Sequence, residues 1–263
     1  RLDAGSLREL VRRAEDIAAH APEDPEAMPV LGPQLYPAAL PRCFADVVAL
    51  TPADLARQVA AAVAPVAARG WHAGGLHTAE IGVRAIATSR GLFAYDRCSS
   101  VSFSMTVHGP DGAGAASGQA NAAADLDPAA IARDALADAV AAQRPRVIPP
   151  GDYTVIMAPD AVAELMGYLL WSLDARAAAE GTTPFAGQLN KKLFHEGVSL
   201  ITDILDPEIP GRPFGEEGLP LRRTAWIEQG VLRRLFHHRF WAQHERVEPD
   251  AGLVVVLFAG LML

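Results

Sequence analysis

Four groups of residues could do chemistry. His195-Glu196 opens as a zinc peptidase helix does, where a second imidazole follows at H-E-x-x-H or H-E-x-x-x-H spacing and the Glu serves as general base. Those positions hold Ser199 and Leu200, and Gly197 weakens any helix. The pattern instead predicts a turn before a strand over 198–204, where Val198, Leu200, Thr202 and Ile204 alternate with Ser199, Ile201 and Asp203. The segment "FHHRFWAQHE" carries His237, His238, His244 and Glu245. In a strand, adjacent histidines face opposite sides, so His238 and His244 are the weak metal candidates, with no fourth ligand evident. Cys98 would need a base and an orienting group to act as nucleophile, and none can be named, so it reads as an inert strand residue. Glu216, Glu217, Arg222 and Arg223 form a polar cluster. They suit a cavity wall holding a peptide backbone or carboxylate, or an ion-pair cluster that fixes a hairpin. No residue is assigned a catalytic role.

The elements that position these groups alternate between two periods. "SLRELVRRAEDIAAH" predicts a helix over 6–20 with Ser6 and Glu9 as a capping box and Leu7, Leu10, Val11 and Ile17 on one face. Residues 21–50 are Pro-rich and carry no clear element. Thr51 and Pro52 start a second helix that stops at Gly70, with Pro65 expected to kink or shorten it. "SVSFSMTVHG" then alternates Val101, Phe103, Met105 and Val107 against serines and a threonine. That predicts a half-buried strand with a hydroxyl-lined outer face, paired in a hairpin with "GVRAIATSRGLFAYD". "DGAGAASG" reads as a loop, and Asp127-Pro128 starts a third helix with Ile131, Ala135, Leu136, Ala139 and Val140 inward. Beyond the break "RPRVIPPGD", a strand over 153–158 precedes an amphipathic helix from Pro159. Strands follow over 222–228 and 231–237, joined at Glu228-Gln229-Gly230. Mixed helices and antiparallel hairpins predict the α+β class.

Composition narrows the function. The chain has 263 residues, half of them hydrophobic, a net charge of −8 and a pI near 5.5. Without a long basic run, nucleic-acid binding has little electrostatic support. Two cysteines, Cys43 and Cys98, make no disulfide framework and fit reduced thiols. No signal peptide is read, and the apolar run over 252–263 is shorter than the roughly 20 residues of a spanning helix, so it is expected to be buried strand.

The order of motifs over 184–240 resembles the TldD/PmbA family, the modulators of DNA gyrase now regarded as peptidases. The resembling elements are Gly187, Leu189, Lys192, Leu193 and Phe194, then Asp206-Pro207, then "FGEEGLPLRRT" from Phe214 to Thr224, and "IEQGVL" from Ile227 to Leu232. A weaker likeness runs through "GDYTVIMAPDAVAELMGYLL" and "SRGLFAYDRCSSVSFSM". Gly215 stands where many members carry an acid. The resemblance implies antiparallel sheets with packed amphipathic helices in two subdomains, expected at 1–148 and 149–263. It also implies a longer C-terminal region than follows Trp241, so the second subdomain is expected to be incomplete. In TldD-type subunits, the resemblance places the zinc motif on the helix after the strand matched by 153–158, and here that helix has no His. The chain therefore resembles the PmbA (TldE) branch. That implies no cofactor in this chain, zinc in a TldD-like partner, a heterodimer or homodimer, and peptide substrates taken in an enclosed cavity. The setting implied is cytoplasmic, with no membrane. Two other functions stay open: a stand-alone hydrolase or biosynthetic enzyme that reuses the fold with a different active site, and a binding module acting on gyrase or a toxin.

Overall fold

The computed structural model describes residues 3–207, 210–252 and 257–259, with only the backbone described in the last stretch. α1 spans Ala4–His20. Its N-cap is Asp3, which accepts from the Ser6 amide at 2.9 Å, in place of the expected Ser6–Glu9 box. Glu9 instead pairs with Arg12 and Arg13, each at 2.9 Å. None of its residues is buried, so its apolar stripe of Leu7, Leu10, Val11 and Ile17 faces outward. A strap without regular structure runs to the short α2 (Ala45–Val48). α3 (Pro52–Ala67) has Thr51 and Asp54 in a reciprocal capping box and continues through Pro65 for two residues before it ends.

β1 (His72–Ala87) and β2 (Phe93–His108) form one antiparallel hairpin in continuous register from His72↔His108 to Ala87↔Phe93. β3 (Ala113–Ala120) adds to β2, so the expected "DGAGAASG" loop is a strand. Its small residues are needed because α4 (Pro128–Ala141) lies directly on it. A Cβ on Gly114 would strike the backbone of Ala135 and Ala139. The same close approach explains why α4 buries Ala132, Ala135 and Ala139, while Val140, expected inside, points out. The first core therefore joins Ala62 and Val66 of α3, Phe103, Met105 and Val107 of β2, and the alanine ridge of α4.

Residues 152–158 make no ladder, against the strand expected there, and Tyr153, Val155 and Ile156 are exposed. The sequence supplies the alternation, but no edge among the described residues pairs with it. α5 (Pro159–Trp171) follows with no buried residue. Leu169 and Leu170 lean on the second core, whereas Leu165 and Trp171 are exposed. α6 (Ala175–Ala179) comes next, capped by Asp174.

The second sheet has the order β6-β5-β4-β7, all antiparallel. β4 is Ser199–Thr202 and β5 is Thr224–Glu228. β6 is only Val231–Leu232, and β7 is Leu257–Ala259. The β5–β6 link is Gln229-Gly230, with φ of 48° and 79°, the paired positive values of a two-residue hairpin turn. The strand expected over 231–237 stops early. Arg233 N turns back to Trp226 O at 2.8 Å, and Phe236 N reaches Leu173 O at 2.7 Å. α7 (Arg239–Glu245) closes this half. β7 agrees with a strand in the C-terminal run; the rest of that run, and the burial expected of it, lie outside the described residues.

The second core holds Leu173, Phe185, Leu200, Trp226, Ile227 and Leu232. A third cluster joins the two halves: Leu92 and Ala94 at the hairpin tip meet Phe214, with Leu31, Tyr36 and Ile86 around them.

Candidate functional site

The segment 211–224 builds the candidate site as a small hairpin. Phe214 bridges to Pro220, Gly215 N donates to Leu219 O at 2.9 Å, and Gly218 at φ 91° closes the turn. Glu216 and Glu217 sit at the tip and point into two ion-pair groups. Glu216 pairs with Arg84 of β1, and with Arg212 at 2.7 Å. Glu217 pairs with Arg239 of α7 at 2.9 Å, and Arg239 also donates to Pro29 O at 2.5 Å in the strap. Tyr36 donates its hydroxyl to Gly218 O at 2.8 Å. The Arg84 guanidinium, and after it Arg212, hold the Glu216 carboxyl below its ordinary value. This tip ties β1, the strap and α7 to one turn.

Gly215 has a steric cause. A Cβ there would collide with the carbonyl of Ala251, so the acid expected at this position in the resembling family has no room in this chain.

Arg222 and Arg223 lie past the tip and open on a different space. With Gln34, Thr224, Trp226, Arg234, Glu248 and Asp250 they line a cavity of about 360 Å³, and Glu216 and Glu217 do not line it. The expected four-residue cluster is thus two pairs on separate surfaces. Arg223 pairs with Asp203 at 3.3 Å. Arg234 donates to Asp250 at 2.7 Å and to the Glu248 carbonyl at 3.1 Å. The other Asp250 oxygen accepts from the His237 amide at 3.0 Å. The sequence reading missed Arg234, Glu248 and Asp250, because nothing local marks them and the chain must double back through α7 to bring them in.

The histidines separate. His237 and His238 precede α7 and His244 lies in its last turn, so no strand carries them and the two-face reasoning does not apply. His237 is enclosed, with one ring nitrogen 2.8 Å from Leu235 O and the other 3.0 Å from Glu245. His238 stands edge-on to Phe236 at 4.6 Å and 3.4 Å from Asp174. His244 stacks on Trp241 at 4.7 Å. Each ring has its own partner, and no group of three His, Cys, Asp or Glu among the described residues is placed to hold a metal. His195 and Glu196 sit in the turn before β4, where the Gly197 amide bonds His195 Nδ1 at 3.1 Å and Lys192 faces Glu196 at 3.6 Å. Cys98 is half-buried in β2, opposite Gly82 and unpaired.

α5 carries one glutamate, Glu164. Counted from it, the imidazole positions of an H-E-x-x-x-H helix fall at Ala163 and Tyr168, both solvent-facing. Neither side chain gives a zinc ion a nitrogen ligand. The residues of α5 do not fit a zinc site.

Residues 44–143 match the family model described as the PmbA/TldA metallopeptidase central domain, and residues 150–254 match that of the PmbA/TldA metallopeptidase C-terminal domain. A curated relative from Archaeoglobus fulgidus, named a metalloprotease, is 33% identical over 95 residues, which cover 35% of this chain and 22% of that protein. Among solved structures, a modulator of DNA gyrase from Bacteroides thetaiotaomicron superposes with a TM-score of 0.83 at 18% identity, covering 98% of this chain and 62% of that one. TldE from Thermococcus kodakarensis superposes with a TM-score of 0.78 at 19% identity, with the same coverage of 98% and 62%. A further gyrase modulator, from Thermotoga maritima, gives 0.79 at 21% identity over 86% of this chain and 54% of that one. The chain thus spans a little over half the length of these structures. At these identities the superpositions establish the α+β fold.

Proposed function

The chain belongs to the PmbA/TldD metallopeptidase family, and from that premise we propose that it is the zinc-free, TldE-like subunit of a two-chain peptidase. In this reading it helps to enclose peptides while a TldD-like chain supplies the zinc. The observation that carries it is α5, Pro159–Trp171, whose sequence PDAVAELMGYLLW contains no histidine to ligate zinc. In this reading α5 contributes no zinc ligand to the hydrolytic step. The likeness in fold to a protein named TldE supports the assignment. Among the described residues, no helix is long and apolar enough to cross a membrane. Arg222 and Arg223 keep the role of peptide contacts because they line a cavity. Glu216 and Glu217 are assigned to holding the two halves together.

The test is reconstitution. Purified chain is expected to contain no stoichiometric zinc and to leave casein-like substrate intact, and to support cleavage once a zinc-bearing TldD-like protein is added. Metal-dependent cleavage by the chain alone would overturn the proposal and favour the stand-alone enzyme.

A further inference from the structure

The cavity beside β5 has an unusual charge balance. Five charged residues line it: Arg222, Arg223, Arg234, Glu248 and Asp250. Three of them are spent. Asp250, the most buried at 8% side-chain exposure, is held by Arg234, and Arg223 is paired with Asp203 at 3.3 Å. Arg222 and Glu248 remain. Among the described residues, neither side chain has an ion-pair or hydrogen-bond partner, and they do not pair with each other although both line the same space. The floor is Trp226, fully buried and fixed by its indole N–H to Thr202 Oγ1 at 2.9 Å. The Arg234–Asp250–His237 chain holds the segment that carries Glu248.

A cationic and an anionic group, both unpaired and lining one pocket, complement a ligand that carries both charges at its ends. A guanidinium fork suits a carboxylate, and a carboxylate suits an ammonium. A volume near 360 Å³ lies at the small end of ligand pockets, too small for a folded partner and adequate for a few amino acids. We propose that this cavity binds a short peptide with both termini free, its carboxylate on Arg222 and its α-ammonium on Glu248. Such a molecule is what peptide hydrolysis releases. The ligand's identity rests on the peptide-handling reading above, but its test requires no cleavage and no partner.

The experiment is calorimetric titration of the full chain with trialanine and with its N-acetylated and C-amidated forms. Free trialanine should bind, and blocking either end should weaken binding about tenfold, the loss expected for one partly exposed charge-assisted contact. Arg222→Met should become insensitive to amidation while still sensing acetylation, and Glu248→Gln the reverse. Both substitutions are at exposed positions and should leave the fold intact, which circular dichroism checks. Equal binding of all three peptides, absence of binding, or variants that lose both sensitivities together would each overturn the assignment. Success here with failed reconstitution would retain the pocket and discard the peptidase subunit; the opposite pair of results would do the reverse.

Discussion

Phe214 is the residue whose removal should do most harm for its size. It is fully buried where the hairpin tip meets the second half, packed on Leu92 and Ala94, with the Tyr36 ring centroid 5.6 Å away. Phe214→Ala removes a phenyl ring from a fully buried site, where the surroundings close the gap only in part, and the cost should be about 3–5 kcal/mol. Domains of this kind hold roughly 5–15 kcal/mol in all. With a urea slope of about 2 kcal/mol per molar, a 4 kcal/mol loss moves the midpoint down by about 2 M. The first and second cores do not contain Phe214. Unfolding should therefore also lose coincidence between far-ultraviolet circular dichroism and tryptophan fluorescence. Phe214→Leu, which keeps most of the volume, should cost about 1.5 kcal/mol or less. A midpoint shift below about 0.5 M for the alanine variant, or equal shifts for both, would refute the view that this cluster couples the halves.

Three more outcomes are expected. Gly215→Asp should lower stability by about 1–3 kcal/mol in urea unfolding, because the new Cβ meets the Ala251 carbonyl, a backbone atom that cannot rotate away; an unchanged midpoint would contradict the steric cause. Arg84 and Arg212 lower the Glu216 pKa from 4.5, so its contribution is present above that value and is lost as pH falls below it through the folded value. Glu216→Gln should flatten the acid limb of the stability profile, with at most about 1 kcal/mol lost at pH 7 because the carboxylate is 70% exposed; an acid limb identical to wild type would exclude that role. Ala163→His with Tyr168→His places H-E-x-x-x-H on α5 at two exposed positions, and the variant should fold normally yet hydrolyse no casein, since a third ligand and the groups that orient it are missing; zinc-dependent turnover would show that they are present.

Period and capping find β2 and the longer helices of the first half. Val101, Phe103, Met105 and Val107 announce β2, and Thr51-Pro52 and Asp127-Pro128 announce α3 and α4 where they occur. The misses share a cause: they depend on what lies across from a residue. Ala113–Ala120 has the composition of a loop, and becomes a strand because only glycine and alanine let α4 approach. Residues 153–158 have the pattern of a strand and, among the described residues, no neighbour to pair with. The stripe on α1 predicts a helix correctly, and its apolar face is exposed. At the site, Glu216 to Arg223 were visible as a charged run, but their division into two surfaces follows from Arg84, Arg239 and Asp203, which are distant in sequence. Arg234 and Glu248 became candidates only through the cavity they share.

The β1–β2 hairpin has a mechanical consequence. Its register is unbroken from base to tip, so at about 3.3 Å per residue it is a beam some 50 Å long. Its base is packed under α3 and α4, which lie side by side on one face, and its tip is seated beside Phe214. A stiff arm amplifies rotation at its root: a tilt of about 5° at the base displaces the far end by roughly 4 Å, more than a packed cluster tolerates. The alignment of the two halves is therefore governed by side chains such as Phe103 and Met105, far from the joint itself. A substitution there that leaves the first core stable can still shift the turn around Phe214 and Gly218 at the other end.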